Sequence, residues 1–190
     1  MRSQEFLDKH YLRLAREISN LSYGIRLKVG CVIVKDRQII SDGYNGTPTG
    51  FSNVCEEFVD ENLQQKMMEK YHTDEEKFNF IDVHVICDNV DILKSKREVL
   101  HAETNAITKV AKTNFSTDGA TIYITDEPCF DCAKLIIQSG IKRVVCWREY
   151  RKKDGIELLK KANIEVVKYD NIEYKHENWK NNITGLSKSN

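Results

Sequence analysis

Between Gln4 and Asn20 the apolar residues Phe6, Leu7, Tyr11, Leu14, Ala15 and Ile18 recur at mostly helical intervals, and the spacing predicts an amphipathic helix that covers a sheet. Val29 to Val34 is an unbroken, largely β-branched run. Asp36-Arg37 then reads as a turn and Gln38 to Ser41 as a returning strand ahead of Gly43, so a hairpin is expected. Phe51 to Glu98 differs in kind: it is rich in charge, shows little periodicity and has only short apolar pieces such as Val83 to Ile86. It reads as an insertion. Beyond His101 regularity returns, with Ala102 to Lys112 helical, Thr121 to Thr125 a strand, Cys129 to Ser139 helical and Gly140 a helix stop. Arg143 to Trp147 reads as a strand, Gly155 to Ala162 as a helix and Glu165 to Tyr169 as a strand. Strands alternating with helices need crossover connections, so part of the sheet should be parallel within a layered α/β domain.

At 190 residues the chain suits one domain, expected over 1–170 with the insertion at about 51–98, followed by a polar tail at 171–190 that holds a lone Trp179. Apolar residues at 41% suffice for a core. Lys plus Arg and Asp plus Glu number 29 each, and this zero net charge argues against a nucleic-acid partner while leaving room for a local phosphate pocket. No apolar run approaches the roughly 20 residues of a membrane span, and the charged start lacks a signal-peptide core. A cytoplasmic setting is therefore expected, in which six cysteines serve as thiols or metal ligands rather than disulfides.

The strongest chemical signal is His101-Ala102-Glu103 followed by Pro128-Cys129-Phe130-Asp131-Cys132, each at a predicted helix start. Cysteines three apart place two sulfurs on one face of a helical turn, within reach of one zinc ion at about 2.3 Å. Pro128 gives up no needed amide at a helix start, and the free N–H groups there favour the thiolate. His101, Cys129 and Cys132 thus form a candidate three-ligand zinc site with a fourth position for water, and Glu103 is the candidate proton shuttle. Taken singly, a C-x-x-C can be a redox pair or half a zinc ribbon, and a His-x-Glu a solvated helix start. Together they match the H-x-E and P-C-x-x-C pattern of zinc nucleobase deaminases.

The turn-rich segment Ser41-Asp42-Gly43-Tyr44-Asn45-Gly46-Thr47-Pro48-Thr49-Gly50, combined with those two motifs, closely resembles the deoxycytidylate deaminase family over roughly Tyr11 to Lys168, insertion excepted. The resemblance implies a three-layer α-β-α sandwich around a mixed five-stranded sheet, and hydrolysis of dCMP to dUMP and ammonia with one catalytic Zn2+. It implies Asn45 as the residue orienting sugar and base, Thr47 near a phosphate, Arg26 as the phosphate cation, and Ala102 and Tyr150 as further substrate contacts. It also implies dCTP and dTTP as effectors, with Gly43 and Tyr44 at an effector site, and a homo-oligomer, commonly a hexamer. Some members carry a second, structural zinc. Here Cys55 follows the loop, Tyr23-Gly24-Ile25 stands where another cysteine is expected, and Cys55 with His84 and Cys87 forms a conceivable rearranged set. Cys31 and Cys146 read as core residues. Two rival readings stay open: another nucleobase deaminase, acting on tRNA adenosine or free cytidine, and a zinc-binding regulatory module without catalysis.

Overall fold

The computed structural model describes residues 2–60 and 93–173, with 62, 65 and 69 between them. The first helix, α1, spans Gln4–Ser19, with Ser3 as N-cap accepting a hydrogen bond from the Phe6 N–H. Strands β1 (Gly30–Lys35) and β2 (Gln38–Tyr44) pair antiparallel around Asp36-Arg37, both at positive φ as a two-residue hairpin of the twist-matching kind requires. Two short strands come next, β3 (Glu56–Phe58) and β4 (Leu93–Ser95). Then follow α2 (Ala102–Val110), β5 (Thr121–Asp126), α3 (Phe130–Gln138), β6 (Arg143–Arg148), α4 (Asp154–Lys161) and β7 (Glu165–Lys168).

The main sheet runs β2-β1-β5-β6-β7. β1 is antiparallel to both β2 and β5, whereas β5, β6 and β7 are parallel, joined by the crossovers α3 and α4. Period-two alternation divides the core. Cys31, Ile33, Ile122, Ile124 and Val144 pack among buried residues of α2, α3 and α4, while Val32, Val34, Tyr123 and Val145 pack with Leu12 and Ala15 of α1 on the other face. This is the three-layer sandwich with a mixed five-stranded sheet that the resemblance implied. Cys31 and Cys146 are fully buried, as core residues should be.

The middle and the end of the described chain add two features to this fold. The stretch taken as an insertion contributes β3 and β4, which pair antiparallel as a separate two-stranded sheet with Glu57 opposite Lys94. The start of the polar tail is also docked: Ile172 is wholly buried under α1, where its carbonyl accepts from Arg13 Nη1. His72, His84 and Cys87 and the tail beyond residue 173, including Trp179, lie outside the described residues. No helix among the described residues is long and apolar enough to cross a membrane.

Candidate active site

Both ligand motifs sit where helices begin, for reasons visible in the backbone. His101 is the N-cap of α2 and Cys129 the N-cap of α3; both are extended, and neither side chain caps its own helix, which leaves both free to point at a third body. A reciprocal pair of hydrogen bonds between Gly46 and Leu100 fixes the chain one residue before His101. Helix α2 lies so close to β2 that a Cβ on Gly43 would come within 2.2 Å of the Ala102 carbonyl. Likewise, a Cβ on Gly155 would come within 2.2 Å of the Pro128 carbonyl, so the start of α4 is wedged against the turn that presents Cys129.

The three ligand atoms converge within 4.8 Å of one another. His101 Nδ1 lies 3.5 Å from Cys129 Sγ and 3.4 Å from Cys132 Sγ. A tetrahedral zinc with Zn–S near 2.3 Å and Zn–N near 2.0–2.1 Å requires an N···S edge of about 3.5 Å, so the donor set fits zinc in chemistry and size. The Cys132 thiol hydrogen-bonds Cys129 and, with His101 beside it, holds the Cys129 thiol well below its ordinary pKa. The same bond, together with burial, raises that of Cys132. Hydrogen bonding to Cys129 raises His101. Glu103, on the first turn of α2, is only 4% exposed, and burial pushes its carboxyl up to about 7.

The site opens into a cavity of about 960 Å³ that Arg26, Asn45, Ala102 and Tyr150 line along with His101, Glu103 and Cys129. That volume suits a small-molecule ligand. Asn45, expected to orient substrate, spends most of its amide on the protein: Oδ1 accepts from Val29 N–H at 2.8 Å and Nδ2 donates to the Leu27 carbonyl at 2.9 Å. One Nδ2 proton remains. Thr47, expected near a phosphate, is not among the cavity-lining residues, and its hydroxyl donates to the Ser52 carbonyl at 2.8 Å, closing the 47–52 loop instead. Gly43 and Tyr44 are also absent from the lining; Tyr44 lies under Lys109 Nζ, and its carbonyl accepts from Asn105. Cys55 is buried, with its thiol 3.5 Å from the Asn53 carbonyl. Among the described residues, His101, Cys129 and Cys132 form the one cluster able to hold a metal.

Sequence reading missed Glu56, Lys96, Arg97, Asp126, Glu127 and Arg148, all on the cavity wall. Arg148 pairs with Asp126 at 2.6 Å. Glu127, 7% exposed, accepts from Lys153 Nζ at 2.9 Å and from the Tyr150 N–H at 3.1 Å, holding the segment after β6 against the site. Position next to Pro128-Cys129 was the one available signal for Asp126 and Glu127.

Residues 6–148 match the family model described as the cytidine and deoxycytidylate deaminase zinc-binding region. The chain belongs to this family. Within it, the chain is 37% identical over 180 residues to the deoxycytidylate deaminase of Enterobacteria phage T4, covering 90% of this chain and 93% of that one. It is 31% identical over 144 residues to the deoxycytidylate deaminase of Mycobacterium phage D29, covering 75% and 94%. A dCMP deaminase from the cyanophage S-TIM5, solved in complex with dCMP and dUMP, matches with a TM-score of 0.66 at 32% identity, over 89% of this chain and 100% of that one. The matched region is described as zinc-binding, and in this chain it carries a His-Cys-Cys set able to hold the ion.

Proposed function

We propose that the protein hydrolyses deoxycytidine monophosphate to deoxyuridine monophosphate and ammonia. The observation that carries the reading is a buried carboxyl group, Glu103, two residues from an imidazole that meets two thiols, with Glu103, His101 and Cys129 lining one nucleotide-sized cavity. The phage T4 and D29 relatives are named deoxycytidylate deaminases, and the S-TIM5 enzyme was solved with dCMP and dUMP; both support this substrate.

His101, Cys129 and Cys132 hold the zinc. When bound, the ion supplies Lewis acidity and makes water a nucleophile near neutral pH. Glu103 takes a proton from the attacking water and delivers it to ring N3, drawing electrons from C4 as the C–O bond forms. It then moves the second proton to the exocyclic nitrogen, which leaves as ammonia when the C–N bond breaks. A carboxyl group near pKa 7 gives and takes protons with comparable ease at neutral pH. Arg26, on the cavity wall, takes the phosphate, and Tyr150 and the Ala102 backbone bound the pyrimidine. Regulation by dCTP and dTTP and a hexameric assembly belong to the same reading, as does a cytoplasmic setting whose reducing conditions keep the thiols available.

The test is a substrate panel of dCMP, CMP, deoxycytidine and a tRNA anticodon stem, run with and without dCTP and dTTP and paired with light scattering for the assembly. The highest kcat/KM should fall on dCMP. Activity confined to the tRNA, or zinc at one per chain with no deamination of any substrate, overturns the reading.

A further inference from the structure

Five consecutive residues outside any regular element, Ile25 to Val29, and the first residue of β1, Gly30, are tied down one after another by side chains from four separate parts of the chain. Glu56 Oε1, at the start of β3, accepts from the Ile25 N–H at 3.1 Å and the Arg26 N–H at 3.4 Å. Asn45, just after β2, donates to the Leu27 carbonyl and accepts from the Val29 N–H. Arg148 Nη2, at the end of β6, donates to the Lys28 carbonyl at 3.0 Å, and Thr125 Oγ1 in β5 accepts from the Gly30 N–H at 3.1 Å. Arg148 is itself fixed by Asp126 at 2.6 Å. The strap so held places Arg26, Leu27 and Val29 on the cavity wall. The backbone from Ile25 to Lys28 belongs to no strand ladder, and immobilising it in the free enzyme removes an ordering cost that binding would otherwise meet.

We propose that Glu56 and Arg148 are positioning residues for recognition of the substrate's phosphate: from opposite ends they hold the 25–30 strap so that Arg26 is presented ready-placed to the anion. The inference rests on the proposed role of Arg26. It also gives the small β3–β4 sheet a task. Glu56 joins that sheet to the strap, and the return strand β4 leads directly to Lys96 and Arg97 on the same cavity wall, with the Lys96 N–H bonded to the Cys55 carbonyl at 2.9 Å. Glu56 is 6% exposed, too deep for its carboxylate to serve merely as surface charge.

The experiment measures kcat/KM for dCMP relative to deoxycytidine, which differ only in the phosphate, with zinc content and thermal unfolding recorded for each variant. Arg26→Ala should collapse this ratio. Glu56→Ala and Arg148→Met should each lower it by about tenfold, with the loss in KM for dCMP rather than in kcat, since a small misplacement of a binding group is costly. Either change combined with Arg26→Ala should add little, because the strap then has no guanidinium to present. Glu56→Gln, whose amide oxygen still accepts from the strap, should recover most of the ratio. Should Arg26→Ala collapse the ratio while Glu56→Ala and Arg148→Met leave it intact, the positioning role is wrong and the phosphate role of Arg26 stands. A ratio insensitive to Arg26→Ala overturns both. A merely structural Glu56 would lower activity on the two substrates alike, which also overturns the proposal.

Discussion

On one face of the sheet Asp8, carried by α1, has no solvent exposure; on the other Glu103, barely more exposed, sits at the start of α2. Burial alone works to raise the pKa of both. Around Asp8 it is outweighed. Arg143 grips both carboxylate oxygens at 2.8 Å, Tyr123 and Tyr169 donate hydroxyls at 3.0 Å, and Gln4 donates at 2.9 Å, so the net shift is downward. Glu103 has no comparable set of donors, so burial prevails and its carboxyl rises to about 7. Depth in the protein therefore does not set protonation; the donors at that depth do. One carboxylate is locked in its charged form to join α1, β5, β6 and the end of β7, and the other is kept ready to exchange protons.

The largest effect expected from breaking this comparison is on chemistry. Glu103→Gln should cut kcat on dCMP by about 10²–10⁴-fold with zinc still bound at one per chain. Near-normal turnover in that variant would remove Glu103 from the mechanism. Stripping the ion with a chelator should abolish deamination, with recovery on adding Zn2+, while unfolding remains cooperative because the Asp8 node does not depend on the metal. Activity unaffected by full zinc removal, checked by elemental analysis, would contradict the site.

Asp8→Asn should act in the opposite sense, sparing zinc binding but lowering stability by about 3 kcal/mol in urea unfolding, since Arg143 loses its buried counter-charge and keeps only the exposed Glu165. It should also change the acid limb. The native carboxyl of Asp8 lies below its ordinary value, so the unfolded chain binds the proton first. The stabilisation is complete above about pH 4 and drains away as pH falls through the lower native pKa. The variant's stability should thus fall less steeply over that acid range than the wild type's. The smallest effect is expected from Tyr169→Phe, which removes one hydroxyl from Asp8 at a half-buried position and should cost about 1.5 kcal/mol. No change in either stability or acid limb would mean that Tyr169 contributes nothing to the node.

Much of the scaffold is legible locally. The i, i+3, i+4 spacing of α1, the β-branched run of β1 and the Gly140 stop at φ +77° all act over a few residues, and each structured element after His101 falls within two residues of its expected bounds. The strands β3 and β4 escaped because each has three residues and the two lie 35 positions apart, too short for periodicity and too distant for a turn signal. Nor does local pattern show that Asp8 meets Arg143, separated by 135 positions. The group able to hold zinc was legible for a different reason: thiol and imidazole donors at motif spacing are rare enough to suggest the chemistry without coordinates. Thr47 shows the limit, since a polar residue in a turn looks the same whether it lines a cavity or, like this one, bonds the neighbouring backbone.

By itself, then, the amino-acid order determined the alternation of strand and helix, the identities of His101, Glu103, Cys129 and Cys132, and the family chemistry they imply, because each depends on residue type and short spacing. Tertiary structure alone decided that the two helix starts meet at tetrahedral distances, that Glu103 is buried without the donors that surround Asp8, and that Glu56 and Arg148 close on one strap. Those outcomes depend on which distant groups share a few ångströms of low-dielectric space, and that is settled only when the sheet and its helices pack.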